Sequence, residues 1–309
     1  MHTLHQYFVT VAPSIQLHVH EAGPKDGKIL LFLHGFPEAA FIWDEVLIHF
    51  ARLGYRAIAP NLRGFEQSSA PIAPEMYRSH HLCADIRELI AQVSNGSKIH
   101  TLIAHDWGGA VAWALANQSP ELMDKLCIIN SPHPATFLRE LQNNREQIEA
   151  SQYMNFLARP DAAQRLAENN FAKLWPFFRT RHGLDLEQTN DSHDPQWLST
   201  EVKSKYRHVW SLGLQGGCNY YQASPLKPSA PQSTTHLHLE IPFERVAIQL
   251  PTLVLWGMQD VALLPCLLTG LEKYIEQLEI RRLPEGSHWV IHEQPDWICE
   301  CLSQFIEPA

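Results

Sequence analysis

Leu102-Ile103-Ala104-His105-Asp106-Trp107-Gly108-Gly109 is the stretch whose reading decides the fold. The mostly apolar run from Ile99 to Ala104 predicts a buried strand, and Gly108-Gly109-Ala110-Val111-Ala112-Trp113 predicts the start of a helix. Only a very tight turn fits between them, with Asp106 at its apex. A glycine two places on lets strand and helix approach closely while the central side chain projects from the sheet. Serine is the usual residue at such an apex. An aspartate there changes the chemistry that the turn can do.

Working outward, Ile29 to Leu33 is a second continuous apolar run, the mark of a strand buried on both faces of a parallel sheet. It leads straight into His34-Gly35-Phe36-Pro37-Glu38. Residues 6–11 and 14–20 predict two strands joined at Ala12-Pro13, with Ile15, Leu17 and Val19 alternating against polar neighbours. A helical pattern covers 40–53, Tyr55 to Pro60 gives a short strand, and 77–93 predicts an amphipathic helix with Leu82, Ile86, Leu89, Ile90 and Val93 on one side. Lys125 to Asn130 adds a further strand. Such alternation predicts an α/β class chain with a mostly parallel, doubly wound sheet and right-handed crossovers.

After Ser131-Pro132 the character changes. Residues 133–245 are polar, aromatic and helical, with little strand pattern beyond His236 to Leu239, and with a loop-like Ser224-Pro225-Leu226-Lys227-Pro228-Ser229-Ala230-Pro231. The α/β rhythm then resumes with strands over Leu250 to Trp256 and Leu278 to Leu283, and a closing helix over 295–306 with Pro295 in its first turn. The expected organisation is one core, built from 1–132 and 246–309, interrupted by a helical cap over 133–245.

Composition limits the functional classes. A chain of 309 residues, 45% hydrophobic and 18% charged, can bury a full core. Its net charge of -9 argues against nucleic-acid partners and gives no reason to sit on anionic membranes. No apolar stretch approaches the roughly 20 residues of a membrane span, and the N-terminus has no signal-peptide pattern. The six cysteines have neither ligand nor framework spacing, so free thiols in a reducing cytoplasm are the expectation. The 18 histidines form no metal-ligand set, and no cofactor is implied. The pairs His18/His20 and His236/His238 recur every second residue and are expected on an exposed strand face. Monomer and homodimer both remain open.

In a doubly wound sheet, ligands bind beyond the carboxyl ends of the strands. Four features end there. Asp106 stands at the elbow, Asp260 follows Trp256-Gly257, and His288 lies in Gly286-Ser287-His288-Trp289. The fourth is the His34-Gly35-Phe36-Pro37 turn, whose Phe36 N–H can pair with that of Trp107 to form an oxyanion hole. The order nucleophile, acid, histidine is that of the α/β-hydrolase triad. Each feature alone has a bland reading, since an aspartate before a helix is commonly a cap and a loop histidine commonly a surface group. Their occurrence together, in order and on the right strand ends, is what carries the argument.

A carboxylate is already ionised at neutral pH and suits displacement at a saturated carbon, which leaves an alkyl ester on the enzyme. Water activated by His288, oriented by Asp260, then hydrolyses that ester. The leaving group decides the substrate. Halide leaves without a proton, whereas an epoxide oxygen leaves as a strongly basic alkoxide and needs a hydroxyl acid such as tyrosine. The candidates in 133–245 are Tyr153, Tyr220 and Tyr221. A tyrosine in such a segment more often only packs.

Over essentially its whole length the chain resembles the soluble epoxide hydrolases of the α/β-hydrolase superfamily. His34-Gly35-Phe36-Pro37 is similar to that family's His-Gly-x-Pro motif, in which the x–Pro bond is expected to be cis. His105 to Gly109 resembles its His-Asp-x-Gly-Gly motif, Gly257 to Asp260 its Gly-x-x-Asp, and His288-Trp289 its His-Trp. The resemblance implies ring opening by Tyr153 and Tyr221, with Tyr220 the alternative for the second position. Gln222 departs from the Arg that the family often carries there, without direct catalytic consequence. His34, Pro37, Tyr220 and Trp289 are the expected substrate contacts, and the partners implied are a small apolar epoxide and water.

Two competing readings stand beside this one. Haloalkane dehalogenases share the nucleophile and the following Trp but typically place Asn where Phe36 stands, and haloacetate dehalogenases typically place Arg where Trp107 stands. A hydrolase fold can also serve as a ligand receptor or scaffold, since fold does not fix function. A retired enzyme would be expected to lose part of the triad or of the oxyanion turn, and here both are complete.

Overall fold

The computed structural model describes residues 3–179, 194–229 and 239–307. Eight strands form one sheet: β1 (His5–Ala12), β2 (Ile15–Ala22), β3 (Ile29–Leu33), β4 (Arg56–Pro60), β5 (Ile99–His105), β6 (Met123–Ile129), β7 (Thr252–Gly257) and β8 (Leu278–Leu283). Their order is β1-β2-β4-β3-β5-β6-β7-β8. The β1–β2 and β2–β4 pairs are antiparallel and every pairing from β4 to β8 is parallel. The apolar runs fall where a sheet covered on both faces needs them: β5 and β7 are buried almost throughout, while the edge strands β1 and β8 are largely exposed or half-buried.

Helices cover both faces. On one side α1 (Asp44–Arg52) and the final helix, α12 (Pro295–Ile306), pack Phe50, Leu47, Ile298 and Leu302 against the sheet. On the other, α2 (Ser79–Val93) and α3 (Asp106–Gln118) contribute Ile86, Leu89, Val111 and Trp113. The predicted helices 40–53 and 77–93 each begin with a 3-10 turn, Ala40–Trp43 and Pro74–Tyr77. Extended backbone at Arg78 separates the second turn from α2.

Seven helices intervene between β6 and β7 among the described residues: α4 (Pro134–Asn143), α5 (Arg145–Ala150), α6 (Tyr153–Leu157), α7 (Ala162–Phe171), α8 (Trp175–Arg179), α9 (Thr200–Ser211) and α10 (Gln215–Ala223). A short α11 (Val290–Glu293) precedes α12. The strand pattern expected over His236 to Leu239 lies outside the described residues except at Leu239. None of the described helices is long and apolar enough to cross a membrane, and all six cysteines are free thiols.

One expectation fails outright. His18 and His20 are buried, not exposed, because β2 lies inside the sheet between β1 and β4. Each imidazole instead meets a carboxylate, His18 Nδ1 at 2.7 Å from Glu66 Oε2 and His20 Nδ1 at 2.8 Å from Asp44 Oδ1. Their partners His236 and His238 lie outside the described residues.

The chain reverses direction across the sheet between β3 and β5, since β4 lies on one side of β3 and β5 on the other. A crevice opens at the carboxyl ends of two such strands. Phe36 and Asp106 sit directly after them.

Candidate active site

Asp106 follows β5 without an intervening loop and is the first residue of α3. Its backbone is left-handed, φ 49°, which costs a non-glycine residue on the order of 1–2 kcal/mol. Neighbours hold it there. Ser131 Oγ donates to the Asp106 carbonyl at 2.7 Å, and Phe36 N–H donates to the carboxylate Oδ1 at 2.7 Å. Gly108 makes the approach possible, since a Cβ at that position would lie 2.6 Å from the His34 carbonyl oxygen. As the second residue of α3, Trp107 has an N–H without a partner inside the helix, at the positive end of its dipole.

The turn after β3 supplies the facing donor. The Phe36–Pro37 bond is cis, as expected. His34 is fully buried: Leu62 N–H donates to its Nε2 at 3.0 Å, so Nδ1 carries the proton, 2.9 Å from the Gly35 carbonyl oxygen. Burial pushes its pKa down to about 4, against smaller raising effects of Gly35 and Glu38. This imidazole is spent on holding the turn, and His34 lines neither chamber described below. Pro37 is likewise absent from both walls; its carbonyl accepts the Trp210 indole N–H at 2.7 Å. Both were expected as substrate contacts, and the structure places neither on a chamber wall.

Asp260, in the loop after β7, is fully engaged. Oδ1 accepts the N–H groups of Ala262 and Leu263 at 2.9 and 2.8 Å, and Oδ2 accepts Asn130 Nδ2 at 2.8 Å. The same Oδ2 lies 2.7 Å from His288 Nδ1, which fixes a proton on that nitrogen. Burial alone would raise the Asp260 pKa, but the His288 charge and these hydrogen bonds outweigh it and hold the carboxyl below its ordinary value. His288 Nε2 then faces Asp106 Oδ2 at 3.7 Å. Burial opposes charge on this imidazole, yet Asp260, Asp106 and Glu38 together raise its pKa to about 9.

A second buried network stands behind the first. His105 Nε2 lies 3.0 Å from the His288 carbonyl oxygen and its Nδ1 2.9 Å from Glu38 Oε2. Tyr206, on α9, donates to Glu38 Oε1 at 3.0 Å and lies 2.7 Å from His292 Nε2. Burial would raise the Glu38 pKa, but His105 and His292 hold it far below the usual carboxylate range. Glu38 and His105 stand inside sequence motifs that assign them no part, and Tyr206, His292 and Asn130 belong to no motif. Only the polarity of these residues in otherwise apolar or turn positions could have drawn attention to them.

Tyr153 begins α6 and Tyr221 lies in α10, with ring centroids 6.1 Å apart. Burial first, then the Asp106 charge, raises both phenol pKa values well above the ordinary tyrosine value, so both hydroxyls keep their protons. The Trp107 ring meets the Tyr221 ring edge-on at 5.1 Å. Tyr220 differs. Its hydroxyl is committed to the Arg63 carbonyl oxygen at 3.0 Å, and its ring packs against Phe65 and Tyr77.

Two chambers meet at this point. The smaller, of about 30 Å³, is bounded by Phe36, His288, Phe177 and Trp289 among others; the larger, of about 670 Å³, runs past Trp107, Val111 and Phe137 and includes Tyr220 in its wall. Three residues line both: Asp106, Tyr153 and Tyr221. Trp289, expected as a substrate contact, lines only the smaller and donates its indole N–H to the Phe177 carbonyl at 2.9 Å.

The sequence profile of the alpha/beta hydrolase fold family matches residues 28–295. Epoxide hydrolase 2 of Caenorhabditis elegans is 31% identical over 95% of this chain and 78% of its own length. An AB hydrolase superfamily protein of Bacillus subtilis, YfhM, is 32% identical over 95% of each chain. Among solved structures, a mutant epoxide hydrolase from Bacillus megaterium superposes with a TM-score of 0.81 at 29% identity, covering 97% of this chain and 99% of the other.

Proposed function

The chain belongs to the alpha/beta hydrolase fold family and, within it, to the epoxide hydrolases, and on that premise we propose that it adds water to an epoxide to give a vicinal diol through an ester on Asp106. The observation that carries this reading is the meeting of one carboxylate and two protonated tyrosines at the junction of two chambers, with His288 across from them. A halide needs no such acids, and this is why epoxide opening is favoured over dehalogenation.

In the first half-reaction, the Asp106 carboxylate attacks a ring carbon as the C–O bond of the ring breaks. Tyr153 and Tyr221 donate to the departing oxygen, and one of them gives up its proton. The carboxylate charge is thereby lost. Asp106 is one of the groups that raise the His288 pKa to about 9, so esterification lowers it and favours the neutral imidazole needed as a base. His288 Nε2 then takes a proton from water, and the resulting hydroxide attacks the ester carbonyl carbon. The tetrahedral oxyanion meets Phe36 N–H and Trp107 N–H, which has no partner within the helix. Collapse breaks the acyl C–O bond, regenerates the Asp106 carboxylate and releases the diol, with the proton held by His288 replacing the one the tyrosine lost. Epoxide plus water gives diol, with no other reactant.

In this reading residues 133–245 act as the cap, the acids on α6 and α10 being its contribution, and 1–132 with 246–309 form the catalytic core. The free thiols support a reducing, cytoplasmic setting. A single turnover in heavy-oxygen water tests the covalent route. The new hydroxyl should carry unlabelled oxygen drawn from Asp106, and label in the first-formed diol would exclude the ester.

A further inference from the structure

The two chambers differ far more than a symmetrical substrate would require. The cavity beside His288 measures only about 30 Å³, room for about two water molecules, the hydrolytic one among them. The chamber on the other side of Asp106 measures about 670 Å³. Its wall is apolar where it leaves the nucleophile, at Val111, Phe137, Met154 and Leu226, and polar at its rim, at the exposed Gln118 and Arg245.

The smaller chamber is also held to its size. Trp289 is fixed to α8 through its indole hydrogen bond to the Phe177 carbonyl, and the Phe177 side chain is itself buried. The Trp289 ring packs against Phe178 at 4.4 Å, and Phe178 in turn stacks on Trp210. Opening this wall would disturb a close-packed aromatic cluster, whose interior transmits rather than absorbs a change of volume.

An epoxide ring held by Asp106, Tyr153 and Tyr221 sits in the residues common to both chambers, so its two carbons face chambers of very different capacity. We propose that this protein selects epoxides with one extended apolar arm, lodged in the larger chamber, and no more than a hydrogen or methyl on the other carbon. The proposal rests on the reading of the site as that of an epoxide hydrolase. An internal epoxide with two long arms would have to displace both the hydrolytic water and the Phe177–Trp289 wall. A terminal epoxide leaves both in place.

The test compares two straight-chain epoxides of equal carbon number, one with the ring at the chain end and one with it at mid-chain, together with the smallest methyl-substituted epoxide. Equal carbon number removes the general hydrophobic contribution. The chain-end isomer should have a kcat/KM at least about tenfold higher, the scale on which a pocket discriminates small differences in apolar size. Phe177→Ala should narrow that ratio by raising turnover of the mid-chain isomer. Ala114→Phe, projecting into the larger chamber, should lower kcat/KM for the long chain-end epoxide more than for the smallest one. Equal rates, or preference for the mid-chain isomer, would overturn the size selection while leaving epoxide hydrolysis standing. No turnover of any of the three would overturn the hydrolase reading itself, and the selection with it.

Discussion

Asp260 and Tyr221 are equally hidden from solvent, at 2% and 3% exposure, yet they are held in opposite ways. The Asp260 carboxylate accepts from two backbone N–H groups and from Asn130, and it pairs with His288. Tyr221 is held by rings, those of Phe36, Trp107 and Tyr153. A buried charge must have its lone pairs met or it will neutralise, whereas a buried phenol keeps its proton by virtue of burial alone. The charged half of the site therefore sits on strand ends of the sheet, where backbone donors are fixed. The neutral half can be carried by short helices inserted between two strands. Each half can be broken separately.

The largest effect is expected on the charged side. Asp106→Asn removes the carboxylate proposed to attack, and turnover should fall by about 10⁴-fold or more, the scale seen when a covalent nucleophile is lost. His288→Gln should instead leave alkylation intact and stop the second step. An ester on Asp106 should then accumulate and be visible by intact mass, and its absence would reassign the histidine.

Next comes the neutral side. Tyr153→Phe with Tyr221→Phe should lower epoxide opening by about 10²- to 10⁴-fold, the range for general acids, while the fold stays stable because only hydroxyls are removed. Pre-steady-state alkylation rates measure this. A double variant that still opens epoxides at the parent rate would remove the distinction between the two halves.

A smaller, directional effect is expected behind the triad. Glu38 is one of the charges that raise the His288 pKa to about 9. Glu38→Gln should lower that pKa, so base-dependent hydrolysis of the ester should begin at lower pH than in the parent. The linked stability runs the same way. A histidine whose folded pKa is raised stabilises the fold below its unfolded value near 6.5 and loses that contribution as pH rises towards about 9. The variant should therefore destabilise less steeply over that window, although loss of the His105 partner lowers its stability throughout. Chemical denaturation at a series of pH values reads both.

The smallest effect separates two adjacent tyrosines. Tyr220→Phe deletes a hydrogen bond to the Arg63 carbonyl and should cost about 1 kcal/mol of stability with little change in kcat. A loss of activity comparable to that of the Tyr221 variant would move the second acid by one residue.

What could be read from the chain follows the same division. The strands that carry the site announce themselves as apolar runs, and Asp106, Asp260 and His288 follow them in a recognisable order. Hydrogen-bond choices made across the fold leave no such trace. Nothing local to His34 says that Leu62 will occupy its second nitrogen, and nothing local to Glu38 says that Tyr206, from the inserted helices, will reach it. The burial of His18 and His20 is hidden for a related reason, since alternation gives the face of a strand but not whether a neighbouring strand and loop will cover it. Tyr220 and Tyr221 are separable only once the direction of α10 against the sheet is known.

The contact between His105 and the His288 carbonyl joins residues 183 positions apart, and Glu38 meets Tyr206 across 168. Such contacts are late events: the chain must close long loops and assemble a parallel sheet before they reward it. Helix content can recover early in refolding, but the His288 imidazole acquires its seat only when the two ends of the chain and the segment between β6 and β7 have come together. Turnover in this molecule is therefore a measure of completed assembly, and the recovery of activity should trail that of secondary structure.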